Sequence, residues 1–173
     1  MKLQVFLFFI SLFILPACDR NKNHSLKESL ANAEYPIDII NSGKAKLSNG
    51  HFEEQAPPGS ATKTTVSLLP KSAWGDLNND RGKDAAVILV VDGGGSGTFY
   101  YLSAVLNKKE GMAPVDSKFL GDRIEINSIK INDGKIIVEF LQRAADEPMS
   151  STPSIETISK FILKNNTLHQ IKE

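Results

Sequence analysis

The chain has 173 residues, enough for one ordinary domain, and its 41% apolar and 23% charged residues can close a core without disulfides or metal. Basic and acidic residues number 20 each, so no global charge draws the chain to nucleic acid. The single cysteine, Cys18, excludes an internal disulfide, and His24, His51 and His169 lack the spacing of a histidine metal site or a Ser/His/Asp triad.

Met1 and Lys2 form a short positive start, and Val5 to Leu15 (VFLFFISLFIL) is an apolar run of signal-peptide length, too short to span a membrane as a mature helix. It ends in Leu15-Pro16-Ala17-Cys18, which resembles the bacterial lipobox. That resemblance implies removal of residues 1–17 and acylation of Cys18, with palmitate-type chains, as the new N-terminus. The alternative is an ordinary secretion signal cut after Ala17. Several acyl chains would anchor the protein firmly, each buried methylene adding about 0.8 kcal/mol. Without residues 1–17 the chain carries 19 basic and 20 acidic residues, a net of −1. The expected location is the cell membrane or outer membrane, facing the periplasm or exterior. Asp19 matches a sorting pattern that favours inner-membrane retention.

Residues 18–34 read as a lipid-anchored flexible tether. Arg20 to Ala33 is polar, and Leu26 and Leu30 at helical spacing support at most one marginal helical turn. From Tyr35 onward, residues 35–173, the punctuation predicts a mainly β fold, a single antiparallel β-sheet domain of hairpins. Gly43 to Leu47, Ser48-Asn49-Gly50 and His51 to Gln55 read as strand, tight turn and strand. Ala56 to Ser60 (APPGS) interrupts pairing, and Thr64 to Leu69 is a strand that Pro70 closes. Asp84 to Val91 (DAAVILVV) predicts a central strand buried on both faces, paired across Asp92 to Gly97 with Thr98 to Leu106. Ile124 to Ile131 and Lys135 to Leu141 form a hairpin around Asn132-Asp133-Gly134. Thr157 to Leu163 and Thr167 to Ile171 form another around Asn165-Asn166.

The segment Gly75 to Asp84 (GDLNNDRGKD) carries the candidate metal site. Asp76, Asn78, Asp80 and Asp84 stand at the first, third, fifth and ninth places of an EF-hand-like calcium loop, with the Gly82 carbonyl at the seventh. Arg81 replaces the sixth-place glycine, and Val87 at the twelfth cannot supply a bidentate carboxylate. The same residues equally make an Asx-rich turn whose side chains bond their own backbone amides. Asp92 to Gly97 is not a nucleotide loop, because no Lys-Ser/Thr follows the glycines and the GxGxxG spacing fails at Thr98. Trp74, Phe99, Tyr100 and Tyr101 could form an aromatic platform, but alternation along a strand turns at least one of Tyr100 and Tyr101 inward. Arg123, Arg143, Asp146 and Glu147 read as a solvated face unless the fold gathers them.

Four blocks, Pro58-Gly59-Ser60-Ala61-Thr62-Lys63, Gly75-Asp76-Leu77-Asn78-Asn79-Asp80 with Lys83 to Val87, Gly94 to Leu102 (GGSGTFYYL), and Leu120-Gly121-Asp122-Arg123, are similar to a family of uncharacterised bacterial secreted proteins and lipoproteins. The resemblance runs from about Tyr35 to Leu163 and implies an envelope location and a β fold, with no activity attached. The acidic loop also resembles the FG-GAP or dockerin style of calcium loop. Where that family implies a cysteine pair after Asp-Pro-Met, this chain has Ser150 and Ser151 after Glu147-Pro148-Met149, which removes a thiol role there. The expected function is therefore a lipid-anchored, non-enzymatic binding or structural module of the envelope with an envelope partner. A calcium-binding module is the alternative, and a hydrolase using scattered carboxylates a third reading.

Overall fold

The computed structural model describes residues 18–56, 59 and 61–172. The expected signal segment 1–17 lies outside the described residues. Among the described residues, one helix and eleven strands follow in chain order: α1 (Cys18–Ala31), β1 (Glu34–Pro36), β2 (Lys44–Lys46), β3 (His51–Gln55), β4 (Lys63–Gly75), β5 (Asp84–Asp92), β6 (Thr98–Lys108), β7 (Gly111–Asp122), β8 (Glu125–Asn132), β9 (Lys135–Gln142), β10 (Ile155–Lys164) and β11 (Thr167–Ile171). Every strand pairing is antiparallel. The mainly β, antiparallel fold read from the sequence is thus the fold observed. Its strands are divided among a five-stranded sheet β3-β4-β5-β6-β7, a four-stranded sheet β11-β10-β9-β8 and the short β1-β2 pair.

β5 holds the layers together. Ala85, Val87, Leu89 and Val91 face one core with Leu30, Tyr35, Ile37 and Leu47. Ala86 and Ile88 face a second core with Val138, Phe140, Phe161 and Leu168 of the four-stranded sheet. The apolar run therefore has no polar side, as expected of a strand covered on both faces. The α1–β1–β2 layer covers one face of the central sheet, and the four-stranded sheet covers the other.

Turn chemistry explains the hairpins. Asp133-Gly134 (φ 48° and 71°) and Asn165-Asn166 (φ 50° and 61°) place two successive residues at positive φ, as type I′ turns require. Asn49-Gly50 (φ 51° and 83°) has the same signature, but the hairpin expected around it is not a ladder. β2 pairs with β1 and β3 with β4, leaving only the Ser48–His51 bridge between the two arms. The turn hands the chain from one layer to the next.

Three further expectations are corrected. Pro70 does not close its strand. β4 continues to Gly75 through a register shift between Leu68 and Ser72, and the proline sits in that irregularity, where no ladder donor is needed. β7 was not foreseen, because Pro114, Asp116 and Gly121 break its alternation. It is an edge strand, half-buried along most of its length, with register shifts beside Pro114 and near Gly121. Finally, the segment read as a tether is a 14-residue helix. Leu30 is 2% exposed in the first core, and its carbonyl accepts the buried Tyr35 hydroxyl at 2.9 Å, so tertiary packing supplies what weak local amphipathicity does not. Among the described residues, no helix is long and apolar enough to cross a membrane.

Candidate functional site

The acidic loop joins β4 to β5 and rests against the β8–β9 turn. Its approach depends on Gly75, where an added Cβ would lie 2.5 Å from Ile131 Cγ2. Asp76 then organises the loop. One carboxylate oxygen accepts the backbone N–H groups of Asn78, Asn79 and Asp80 at 3.2, 2.7 and 3.2 Å, and the other accepts Arg81 N–H at 2.8 Å. This fan of amides lets Asn79 (φ 64°) and Arg81 (φ 66°) occupy the left-handed region. Burial pushes the Asp76 carboxyl up, but the four amides outweigh it and hold the group below the usual carboxylate range.

Asp84, the first residue of β5, has no exposed surface. It accepts Leu77 N–H and Asn107 N–H, each at 2.9 Å, tying the loop entrance and the end of β6 to the central strand. Desolvation raises its pKa, the two amides oppose that, and the charges of Asp80 and Asp76 add to the rise. Asp80 is exposed, accepting Gly82 N–H at 2.5 Å and the Asn78 side-chain amide at 2.7 Å. One carboxylate oxygen from each of Asp76, Asp80 and Asp84 lies within 4.8 Å of the others. The fold thus gathers the three carboxylates foreseen at the first, fifth and ninth places. Asn78 and Gly82 serve Asp80: the Asn78 side-chain oxygen accepts Asp80 N–H at 3.1 Å, and Gly82 bonds through its amide. A cation held there would take carboxylate oxygens that already accept backbone amides, using their remaining lone pairs. A cavity of about 600 Å³ opens beside the loop, between Asp76–Asn79 and Ile131–Gly134.

The other sequence candidates separate. Tyr101 is 4% exposed in the first core and gives its hydroxyl to Asp38 at 2.9 Å, whereas Tyr100 packs against the second. Phe99 and Tyr101 meet Phe119 of β7 at 6.2 and 5.7 Å between ring centroids, while Trp74 lies under Lys83 instead. The glycine-rich connection is a packing device. An added Cβ on Gly94 (φ 73°) would lie 2.3 Å from Thr62 Cγ2 and 3.0 Å from the Lys63 carbonyl.

Of the polar residues near the C-terminal half, the fold gathers the two arginines around Asp122, a residue of the Leu120-Gly121-Asp122-Arg123 block with no charge pattern in the sequence to single it out. Arg123 bonds Asp122 at 2.7 Å, and Arg143 stands 3.9 Å from the same oxygen. The Arg123 side-chain hydrogen bonds hold Asp122 below its usual range against desolvation. Thr98 N–H donates to Asp122 at 2.9 Å, and Arg123 N–H returns a bond to the Thr98 carbonyl at 2.7 Å. The Leu120-Gly121-Asp122-Arg123 block is thereby a corner clamp joining β6, β7 and β8. Glu147 caps its own turn through Ala144 N–H at 2.8 Å, and Asp146 is exposed. No protein-family model, curated protein or solved structure matches the chain.

Proposed function

We propose that the chain is a lipid-anchored cell-envelope protein, held through acyl groups on Cys18, whose β domain is a non-enzymatic binding or structural module for an envelope partner. The observation that carries this reading is α1. It begins at Cys18, and twelve residues further on, about 18 Å along a helix axis, Leu30 is buried in the domain core. An acylated Cys18 would therefore hold the domain through a docked helix. The apolar run Val5 to Leu15 and the Leu15-Pro16-Ala17-Cys18 sequence support the anchor, and the resemblance to secreted proteins and lipoproteins supports the envelope location. The engagement of Asp76 and Asp84 with backbone amides favours a structural over a hydrolytic role for the carboxylates. Expressed in a bacterial host, the protein should enter the detergent phase in a cloud-point partition and Cys18→Ser should move to the aqueous phase. Wild type in the aqueous phase would refute the anchor.

A second reading, a calcium-binding envelope module, is favoured by one observation, the convergence of Asp76, Asp80 and Asp84. It predicts a rise in melting temperature with calcium but not magnesium that disappears in Asp76→Ala and Asp80→Ala. No rise at millimolar calcium, the range of weak extracellular sites, would rule it out.

A further inference from the structure

The loop between β9 and β10, residues 143–154, crosses the Asp122 corner and lays a methionine on its two arginines. Met149 Sδ accepts Arg143 Nη1 at 3.4 Å and Arg123 Nη2 at 3.6 Å. The same guanidinium groups hold the loop backbone, Arg143 Nη1 donating to the Pro148 carbonyl at 3.1 Å and Arg123 Nη1 to the Met149 carbonyl at 3.2 Å. Methionine ordinarily fills gaps in a core, but Met149 is 57% exposed while its sulfur sits against two cations.

The corner is short of acceptors. The Asp122 carboxylate already takes Nε and Nη2 of Arg123 and the Thr98 amide, and Arg143 Nη2 stands 3.9 Å from it, beyond hydrogen-bond length. The Arg143 side chain is 10% exposed, and its Nε is buried with no hydrogen-bond partner among the described residues. A thioether is a weak acceptor, so the two charged donors aimed at it are poorly matched. We propose that Met149 is a site of reversible oxidation by peroxides, and that Arg123 and Arg143 receive the sulfoxide oxygen. With hydrogen peroxide, the thioether lone pair attacks one oxygen and the O–O bond breaks. Sulfur loses two electrons, the peroxide gains them, and the departing hydroxide takes up the proton of the transferred oxygen and leaves as water. The rotatable bonds of the side chain let the new S–O group turn to the guanidinium groups, where oxygen accepts charge-assisted hydrogen bonds that sulfur accepts only weakly. A methionine sulfoxide reductase reverses the step. Oxidation within a core puts a polar group among apolar ones and loosens the fold, whereas here it tightens the corner that ties β6, β7 and β8 to the β9–β10 loop. The inference stands on this corner and holds whether or not Cys18 is acylated.

The full chain in neutral detergent micelles would be treated with millimolar hydrogen peroxide, and oxygen uptake at each methionine followed by peptide mass mapping. Met112, half-buried against the first core, is the internal comparison. Met149 should oxidise at least about fivefold faster, as its exposure implies. The melting temperature of wild type should then rise by about 2–4 °C, the shift that one added charge-assisted hydrogen bond gives a domain of this length. Isotope-edited NMR signals of the Arg123 and Arg143 guanidinium groups should move on oxidation, which simple exposure of the sulfur would not cause. Met149→Leu, treated alike, should show neither change, and Arg123→Gln should oxidise at Met149 with a smaller rise. The wild-type readouts need no variant, so a failure of Arg123→Gln to fold leaves the test intact. Equal rates at Met112 and Met149, a melting temperature that falls or stays unchanged, unmoved arginine signals, or the same rise in Met149→Leu would each overturn the proposal.

Discussion

Asp84→Ala is the sharpest test of how the acidic loop is held. The carboxylate is fully buried and is the acceptor for two backbone amides, those of Leu77 and Asn107, at 2.9 Å each. Truncation leaves both donors without that acceptor, and an orphaned buried donor costs about 1–3 kcal/mol. Two such losses, offset in part by removing a desolvated charge that Asp80 and Asp76 repel, give an expected net loss of roughly 2–4 kcal/mol. Asp84→Asn keeps one acceptor oxygen and should lose about half as much. Asp80→Ala, exposed, should lose under about 1 kcal/mol. Urea unfolding of the full chain in neutral detergent, read by Trp74 fluorescence, measures all three. The pH dependence adds a second check. Because the folded pKa of Asp84 lies above the ordinary 3.8, the folded state binds more protons between the two values, and ionisation costs stability as pH rises through that window. The advantage of wild type over Asp84→Asn should therefore shrink as pH rises. An Asp84→Ala variant within 0.5 kcal/mol of wild type, a surface-like effect, or an Asp80→Ala loss of equal size, would refute the reasoning.

Leu30→Ala should cost about 2–5 kcal/mol in the same unfolding assay, the range for a large-to-small change in a core, whereas a free tether would show no change. Gly75→Ala should cost about 1–3 kcal/mol, because the new methyl meets Ile131 and either the loop or the β8–β9 turn must shift; a neutral result would mean that this approach is not tight. Tyr101→Phe should cost about 1 kcal/mol by losing the bond to Asp38, a change that a chemical-denaturation midpoint resolves.

The parts of the fold legible in the sequence are those where local chemistry and burial agree. Asp84 to Val91 is apolar at every position after its first because both faces of β5 are covered, and the Asp133-Gly134 and Asn165-Asn166 turns declare themselves through residues that tolerate positive φ. The illegible parts depend on distant partners. Asn49-Gly50 makes its turn, but which strand each arm joins is decided by layers formed from the rest of the chain. β7 lacks alternation because an edge strand with irregular register is only half-buried. α1 looks too polar to fold alone, and its stability comes from Leu30 and the Tyr35 hydroxyl.

The candidate site divides in the same way. The fan of amides on Asp76 follows from Asx chemistry within six residues, and the spacing of Asp76, Asp80 and Asp84 foretells their convergence. That Asp84 also receives Asn107, 23 positions away, requires the β5–β6 pairing to be known.

The most direct test of the central claim is the intact mass of the N-terminal peptide from protein expressed in a bacterial envelope. The account predicts a chain beginning at Cys18 and carrying a diacylglyceryl group, with or without a further amide-linked acyl chain. A chain beginning at Cys18 with an unmodified thiol, or one retaining Met1 to Ala17, would contradict it.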